Sequence, residues 1–176
     1  MMNLKELELV IRNLKVVLSD CDGVLTDGGL YYMEDGTEMR KFQVLDGMGF
    51  IRLKQIGIKT GIITGDATNI VDHRAKKLKV DYFYKGSLNK LDIIREIAQK
   101  ERITLKQIAY IADDIFDIEA LDAVGLAFVP STADERIKKH ADYVTIKGGG
   151  AGCFREIAEL IIERRNCHEG SSICNN

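Results

Sequence analysis

The sequence lacks a long hydrophobic run. Its longest uncharged stretch, residues 123–133, is 11 residues long, whereas about 20 apolar residues are needed to span a bilayer. The first ten residues, MMNLKELELV, also lack the apolar stretch of a signal peptide. We therefore expect a cytoplasmic protein rather than a membrane or secreted one.

An excess of charge of one sign is absent too. The 25 basic and 27 acidic side chains give a net charge of −2 and are interspersed along the chain. This balance argues against nucleic acid and against an anionic membrane surface as partners. Hydrophobic residues make up 45% of the chain and charged residues 30%. These values exclude a disordered or fibrous protein and favour one globular domain.

Cysteine pairs at the spacing of a zinc site are missing. The four cysteines include no C-x-x-C motif, and the three histidines are scattered. Only Cys167, His168 and Cys174, in the polar tail 166–176, resemble a metal clip even approximately. We expect reduced, unpaired thiols there instead, and we place the tail outside a single domain at 1–165.

Strand-like and helix-like segments alternate along the rest of the chain. Apolar runs typical of buried parallel strands occupy 14–19, 58–64, 82–84, 108–112, 126–129 and 143–146, and amphipathic segments predict helices at 46–55, 68–79, 88–100, 115–123 and 153–164. Repeated β-α units predict an α/β fold of three layers, with a Rossmann-like parallel sheet and helices on both faces. Ligands bind such sheets beyond the carboxyl ends of the strands.

One unit departs from this alternation. Two strand-like runs flank Asp35-Gly36, which is a strong signal for a β-hairpin, here at about 29–44. Its apolar residues exceed what a lone two-stranded ribbon can stably leave in water; they are Leu30, Tyr31, Tyr32, Met33, Met39 and Phe42. Packing on the hairpin's own domain is one explanation, and mutual burial between subunits is the one we favour.

An acidic pair follows the first strand. Asp20 and Asp22 stand at its carboxyl end, where like charges raise the pKa of one carboxyl unless a cation is near. Gly23 and Gly28 allow the backbone to turn closely around a bound group. An acidic loop that caps a helix is the plain alternative.

A second acidic cluster follows the strand at 108–112. Asp113 and Asp114 come directly after it, and Asp117 lies one helical turn beyond Asp113. Either acid of the pair is suited to capping a helix. However, two acidic clusters at the carboxyl ends of two strands are also what an oxygen-ligand Mg²⁺ site requires.

Two further signals lie between the acidic clusters. Thr64-Gly65 closes the second core strand and offers a hydroxyl and backbone N–H groups, while Lys90 stands near the start of a helix. Taken alone, a Thr-Gly pair after a strand is more often a turn than an anion site, and a lysine at the start of a helix is usually a solvated surface residue. The β-α pattern places both on the sheet edge that carries the acids, which favours a common site.

These motifs, taken in order, resemble a known family. Four segments resemble the four motifs of the haloacid dehalogenase superfamily of aspartate-nucleophile phosphatases; they are DCDGVLTDG, IITG, the lysine of KGSLNK and ADDIFD. The resemblance covers residues 14–162. Two further features are similar to one group of this superfamily, the tetrameric phosphatases of 2-keto-3-deoxy sugar acids, which have no cap domain. The first feature is DGVLTDG followed by a hairpin, and the second is a late glycine run followed by Phe154-Arg155-Glu156. The resemblance implies a homotetramer joined through the hairpin.

The resemblance also implies a role for each matching residue. Asp20 would be the nucleophile that forms an aspartyl-phosphate, and Asp22 would protonate the leaving oxygen and then activate water. Thr64 and the Gly65 amide would hold phosphoryl oxygens, and Lys90 would offset the charge on the phosphate and on the nucleophile.

The metal implied by the resemblance is Mg²⁺. Its ligands would be the Asp20 carboxylate, the Asp22 backbone carbonyl and Asp113, with waters and a phosphate oxygen completing the octahedron. Asp114 and Asp117 match the supporting acids of the fourth motif.

Three places depart from the family pattern. Ala112 replaces the usual glycine before the acidic pair, the glycine stretch 148–152 is a variant one, and Asp66 stands where octulosonate phosphatases usually carry arginine. An acid at this position, with Arg74 and Lys77 downstream, is more similar to the phosphatases of 2-keto-3-deoxynononate 9-phosphate. We expect these three residues to bind substrate. An acid suits sugar hydroxyls, whereas an arginine suits a carboxylate. Both 3-deoxy-D-manno-octulosonate 8-phosphate and 2-keto-3-deoxynononate 9-phosphate therefore stay open as substrates.

Two functions of other classes compete with a phosphatase. A receiver-like signalling domain also uses an acid pair, a phosphorylated aspartate, a threonine and a lysine. In a receiver, however, the phosphorylated aspartate lies on a strand in the middle of the chain, whereas the candidate nucleophile here belongs to the first acidic pair. A non-catalytic partner subunit with the same fold is the other alternative. The presence of a suitable residue at every catalytic position argues against it.

Overall fold

The structure is a computed structural model that describes residues 4–166. The tail cysteines Cys167 and Cys174 therefore lie outside the described residues. In chain order the elements are α1 (Leu4–Asn13), β1 (Val16–Ser19), β2 (Tyr31–Tyr32), β3 (Glu38–Met39), α2 (Val44–Gln55), β4 (Lys59–Ile63), α3 (Asn69–Leu78), β5 (Tyr82–Tyr84), α4 (Lys90–Glu101), β6 (Ile108–Ile111), α5 (Ile118–Ala123), β7 (Leu126–Val129), α6 (Glu135–Lys138), β8 (Tyr143–Val144) and α7 (Cys153–Asn166), with 3₁₀ turns at Leu105–Gln107 and Ile115–Asp117.

The main sheet has six strands in the order β5-β4-β1-β6-β7-β8, and all neighbouring pairs are parallel. β1 lies between β4 and β6, with Ser19 level with Ile62 on one side and with Ile111 on the other. This register brings the residues that follow the three central strands to one edge of the sheet.

Two apolar cores cover the two faces of the sheet. One core joins alternate strand residues such as Val17 and Ile62 to α1, α2, α3 and α7, and the other joins residues such as Leu18 and Ile63 to α4, α5 and α6. Residues of one strand therefore alternate between the two cores, as the two-residue period of a strand requires. The predicted three-layer α/β fold is confirmed.

The predicted hairpin is present as a short ribbon. Tyr31 pairs with Met39 and Tyr32 with Glu38, and Gly36 in the turn has a φ of +83°. Phe42 packs against the first core of its own chain, because a bridge between Thr26 and Phe42 ties the end of the hairpin to the loop after β1. For this side chain the first of the two explanations holds. From Thr26 to β4 the chain forms only the hairpin and α2, so no cap domain is present there.

Several bounds differ from the expected ones. The sequence analysis missed α1 and α6, and the segment at 115–123 begins with a 3₁₀ turn in which Asp114 accepts a hydrogen bond from the Phe116 amide. The last strand is two residues shorter than expected, and α2 begins two residues earlier, behind Gln43. Of the helices described, none has the length and apolar character needed to cross a membrane.

Candidate active site

The carboxyl edge of the sheet holds a cavity of about 210 Å³. Most of the predicted site residues line it; the full lining is Asp20, Asp22, Thr64, Gly65, Asp66, Leu88, Lys90, Asp114, Phe116 and Asp117. A larger groove of about 490 Å³ between α2 and α7 shares none of these residues. The four sequence motifs therefore converge on one cavity, as their places after successive strands require.

Asp20 lies at the floor of this cavity and is buried. Its Oδ1 accepts a hydrogen bond of 2.7 Å from the Cys21 amide, and its Oδ2 lies 3.1 Å from Lys90 Nζ. Burial raises the pKa of Asp20, and the charge of Lys90 opposes that rise. The carboxylate is thus held in place from both sides.

Lys90 connects Asp20 to a second buried acid. It is the first residue of α4, behind the Asn89 cap, and its Nζ lies 3.1 Å from Asp117 Oδ1. The Tyr110 hydroxyl donates to the same oxygen at 2.8 Å. Burial acts to lower the pKa of Lys90, but the two carboxylates outweigh it and raise the pKa, so this lysine is a cation at neutral pH.

Asp113 sits directly over Gly23. A Cβ atom at Gly23, where φ is +71°, would lie 1.8 Å from Asp113 Oδ2, so only glycine fits there. Burial first, and then the charges of Asp117 and Asp114, raise the pKa of Asp113 to about 7. This carboxylate is therefore short of positive charge in its surroundings.

The donor set at this edge fits Mg²⁺. Within residues 4–166 no group of three or more acid, histidine or cysteine side chains is arranged as a metal cage. The expected ligand set contains only two side chains, the carboxylates of Asp20 and Asp113, because the third ligand is the backbone carbonyl of Asp22. All three donors are hard oxygens, which Mg²⁺ prefers, and Mg²⁺ usually keeps several waters.

Thr64 and Asp66 shape the opposite side of the cavity. Thr64 is buried, and its Oγ1 accepts a hydrogen bond of 3.1 Å from the Asp66 amide. Burial acts to raise the pKa of Asp66, but hydrogen bonds from Thr68 and the charge of Arg40 leave the pKa below its usual value. Asp66 is therefore ionised at neutral pH.

Arg40 is a charged residue of the site that the sequence analysis missed, as it missed Tyr110 and the cavity-lining Leu88 and Phe116. Its side chain is only 5% exposed, and its Nη1 lies 2.9 Å from both oxygens of Asp22 and 2.7 Å from Asp66 Oδ2. Its Nε lies 2.8 Å from Glu38. Arg40 thus lies behind the cavity wall, against two acids that line the cavity, and no spacing rule for the four motifs indicates this position.

Two predicted substrate-binding residues lie elsewhere. Arg74 Nη2 donates to the Gln43 carbonyl at 2.7 Å, and its guanidinium lies 5.4 Å from the centre of the Phe42 ring. Lys77 is exposed on α3. Neither lines the cavity.

The fold and this site define a class of α/β proteins with a parallel sheet, a buried aspartate at the carboxyl edge of that sheet and a lysine in contact with the aspartate. A sequence profile described as haloacid dehalogenase-like hydrolase matches residues 63–152. The chain is 34% identical over 153 residues to 3-deoxy-D-manno-octulosonate 8-phosphate phosphatase from Haemophilus influenzae, covering 87% of this chain and 85% of that protein. It is 34% identical over 150 residues to the protein of that name from Escherichia coli K12, covering 85% and 80%.

Solved structures agree. The chain superposes with a TM-score of 0.90 and 36% identity on 3-deoxy-D-manno-octulosonate 8-phosphate phosphatase from Moraxella catarrhalis in complex with a magnesium ion, a phosphate ion and KDO, covering 95% of this chain and 96% of that one. The cobalt-bound phosphatase from Haemophilus influenzae gives a TM-score of 0.85 at 32% identity, covering 92% and 96%. The chain belongs to the haloacid dehalogenase-like hydrolases and is a phosphoric monoester hydrolase. The predicted family is confirmed, and these comparisons give no support to the receiver-like alternative.

Proposed function

We propose that this protein is a Mg²⁺-dependent phosphatase that removes the terminal phosphate of a 2-keto-3-deoxy sugar acid, with 3-deoxy-D-manno-octulosonate 8-phosphate as its substrate. The observation that carries the proposal is the position of Lys90, 3.1 Å from both Asp20 and Asp117 at the floor of a cavity. The relatives named above are phosphatases of this substrate, and the Moraxella protein binds magnesium, phosphate and KDO. Such a substrate belongs to lipopolysaccharide synthesis.

The chemistry proceeds in two steps. Asp20 attacks phosphorus through a carboxylate oxygen, the bond from phosphorus to the sugar oxygen breaks, and Asp22 gives its proton to that oxygen. Asp22 then takes a proton from a water molecule, which attacks the phosphorus of the aspartyl-phosphate and restores Asp20. The presence of both Asp20 and Asp22 in the lining of one cavity supports this order of steps.

The remaining side chains hold charge and orientation. The Thr64 hydroxyl and the Gly65 amide bind phosphoryl oxygens, and Lys90 offsets negative charge on the phosphate and on Asp20. Asp117 and Tyr110 orient Lys90. Asp20, Asp113 and the Asp22 carbonyl would hold Mg²⁺, and the bound cation would supply charge neutralisation for the phosphate.

Asp66 favours a second candidate substrate. An ionised acid in the cavity wall suits hydrogen bonds to sugar hydroxyls, and the longer chain of 2-keto-3-deoxynononate 9-phosphate carries more of them. We therefore retain this nine-carbon acid as the alternative substrate. A homotetramer joined through the hairpin remains part of the proposal.

Phosphate release from a panel of phosphomonoesters tests the proposal. With Mg²⁺ present, we expect the octulosonate 8-phosphate to give the highest kcat/KM, with the nononate 9-phosphate next, ahead of ordinary hexose phosphates. Turnover of aryl phosphates without any of the sugar-acid phosphates would overturn the substrate assignment. Absence of all phosphatase activity in folded protein would favour a non-catalytic partner subunit.

A further inference from the structure

Arg40 makes an unusual set of contacts for a hairpin residue. A single nitrogen, Nη1, lies 2.9 Å from each oxygen of Asp22 and 2.7 Å from Asp66. Asp22 comes from the loop after β1, 18 residues earlier in the chain, and Asp66 comes from the loop after β4. Arg40 therefore joins three separate segments at one point of the cavity wall.

The burial of Arg40 argues for a role in positioning. With 5% of its side chain exposed, this arginine is covered by its acidic partners and is not presented to the cavity, of which it is not a lining residue. A buried ion pair is weak evidence for stability, because desolvation offsets much of the attraction. The contact instead holds the two acids close together, since Arg40 Nη1 lies within 2.9 Å of both Asp22 and Asp66.

The other support of the Asp22 carboxylate is weaker. Thr26 Oγ1 donates to Asp22 Oδ1 at 3.3 Å, which is longer than the range of about 2.5–3.0 Å usual for a hydrogen bond between oxygens. The Asp22 side chain is otherwise partly exposed, at 39%. Its orientation in the cavity therefore depends mainly on Arg40, and through Arg40 on the hairpin.

We infer that Arg40 is a positioning residue that aims the Asp22 carboxyl at the leaving oxygen and links that aim to the hairpin. The inference rests on the proposed function, in which Asp22 transfers the proton. During the first step the electrons of the breaking bond go to the leaving oxygen, and the proton from Asp22 neutralises it. An alkoxide needs that proton, whereas p-nitrophenolate is stable without it.

This difference gives a readout that loss of folding does not imitate, and a series of aryl phosphates separates it from loss of sugar binding through Asp66. kcat/KM reports events up to formation of the aspartyl-phosphate, so it isolates the step in which Asp22 acts as an acid. For Arg40→Ala we expect kcat/KM to fall roughly 10- to 100-fold with octulosonate 8-phosphate, within the range of general acid catalysis. With p-nitrophenyl phosphate we expect a fall of less than about three-fold, because that leaving group needs no general acid.

A series of aryl phosphates makes the test independent of the sugar-acid assignment. As the pKa of the leaving phenol rises from nitrophenol to phenol, kcat/KM of Arg40→Ala should fall more steeply than that of the wild type. Arg40→Lys, which keeps one cationic nitrogen, should restore part of the difference. In an Asp22→Asn background, Arg40→Ala should have no further effect on the slope.

Lys41→Ala is the matched control. Lys41 is the next residue on the hairpin, is 60% exposed and pairs with Asp27, so its removal should leave the slope unchanged. Arg40→Gln serves if Arg40→Ala is not folded by circular dichroism. A uniform fall for all leaving groups, or no fall, would overturn the inference. Failure of the wild type on sugar-acid phosphates, with a steeper slope in Arg40→Ala, would instead refute only the substrate assignment.

Discussion

Lys90 and Asp117 form a buried ion pair of 3.1 Å, in which the two side chains are 5% and 1% exposed. Asp117 also accepts the hydrogen bond of the Tyr110 hydroxyl. Removal of a partner from a buried pair leaves a charge without compensation, which costs far more than an exposed pair is worth.

We therefore expect Asp117→Ala to reduce the free energy of unfolding by about 3 kcal/mol, at the low end for broken buried pairs because Asp20 still contacts Lys90. Urea unfolding measures this change. Glu135→Ala is the control: Glu135 is 83% exposed and pairs with Lys138, so the loss should stay below about 0.5 kcal/mol. Equal losses in the two variants would contradict the assignment of Asp117 as the acid that holds Lys90.

Asp20→Asn should abolish turnover and leave the fold intact. The amide keeps the shape of the carboxyl but is not an anionic nucleophile, so a loss of several orders of magnitude is expected. Phosphate release measures it, and circular dichroism checks folding. Asp92→Asn, on the exposed face of α4, is the control and should retain activity. Turnover like that of the wild type in folded Asp20→Asn would refute the nucleophile.

Metal removal should stop the reaction. A chelator should reduce phosphate release to background, Mg²⁺ should restore it, and Ca²⁺ should restore it poorly. Calcium takes longer bonds and more ligands than the near-octahedral site in which a nucleophile and a phosphate are aligned. Titration calorimetry provides a second readout, with Asp113→Asn expected to weaken Mg²⁺ binding. Full activity in a metal-stripped sample would contradict the prediction.

The sequence predicted the part of the site that follows the strands. Asp20, Thr64 and Asp113 come directly after buried parallel strands, and the register of a parallel sheet brings such residues to one edge. Lys90 was found because it begins a helix that follows a strand of the same sheet. Local pattern and topology together determined these positions.

Arg40 was out of reach for the same reasoning. A hairpin arginine is ordinarily solvated, and nothing in the sequence states how the ribbon folds back onto the loop after β1. Arg74 shows the opposite case, because it was expected to bind substrate but does not line the cavity of the single chain. It follows Asp66 by eight residues, but a helix turns its side chains through 100° per residue, and this one contacts Phe42 and the Gln43 carbonyl instead.

Asp66 should influence the choice between the two sugar acids. We expect Asp66→Arg to raise the ratio of kcat/KM for the octulosonate over the nononate substrate, because an arginine suits a carboxylate and an acid suits hydroxyls. Asp66→Asn is the control, since it removes the charge that pairs with Arg40 but adds no cation. An unchanged ratio in Asp66→Arg would show that Asp66 does not select the substrate.

The hairpin should join subunits. Five of its apolar side chains are about half exposed or more in the single chain, namely Leu30, Tyr31, Tyr32, Met33 and Met39. Apolar surface of this kind, on a ribbon too short to be stable alone, is typical of an interface. We therefore expect a closed homo-oligomer, a tetramer by family resemblance, that dissociates when Tyr32 and Met33 are both changed to Asp. Light scattering at assay concentration measures the mass. Leu9→Asp is the matched control, because Leu9 is 62% exposed on α1, away from the hairpin, and this change should leave the mass unaltered. A wild-type protein that is monomeric and fully active would refute the prediction.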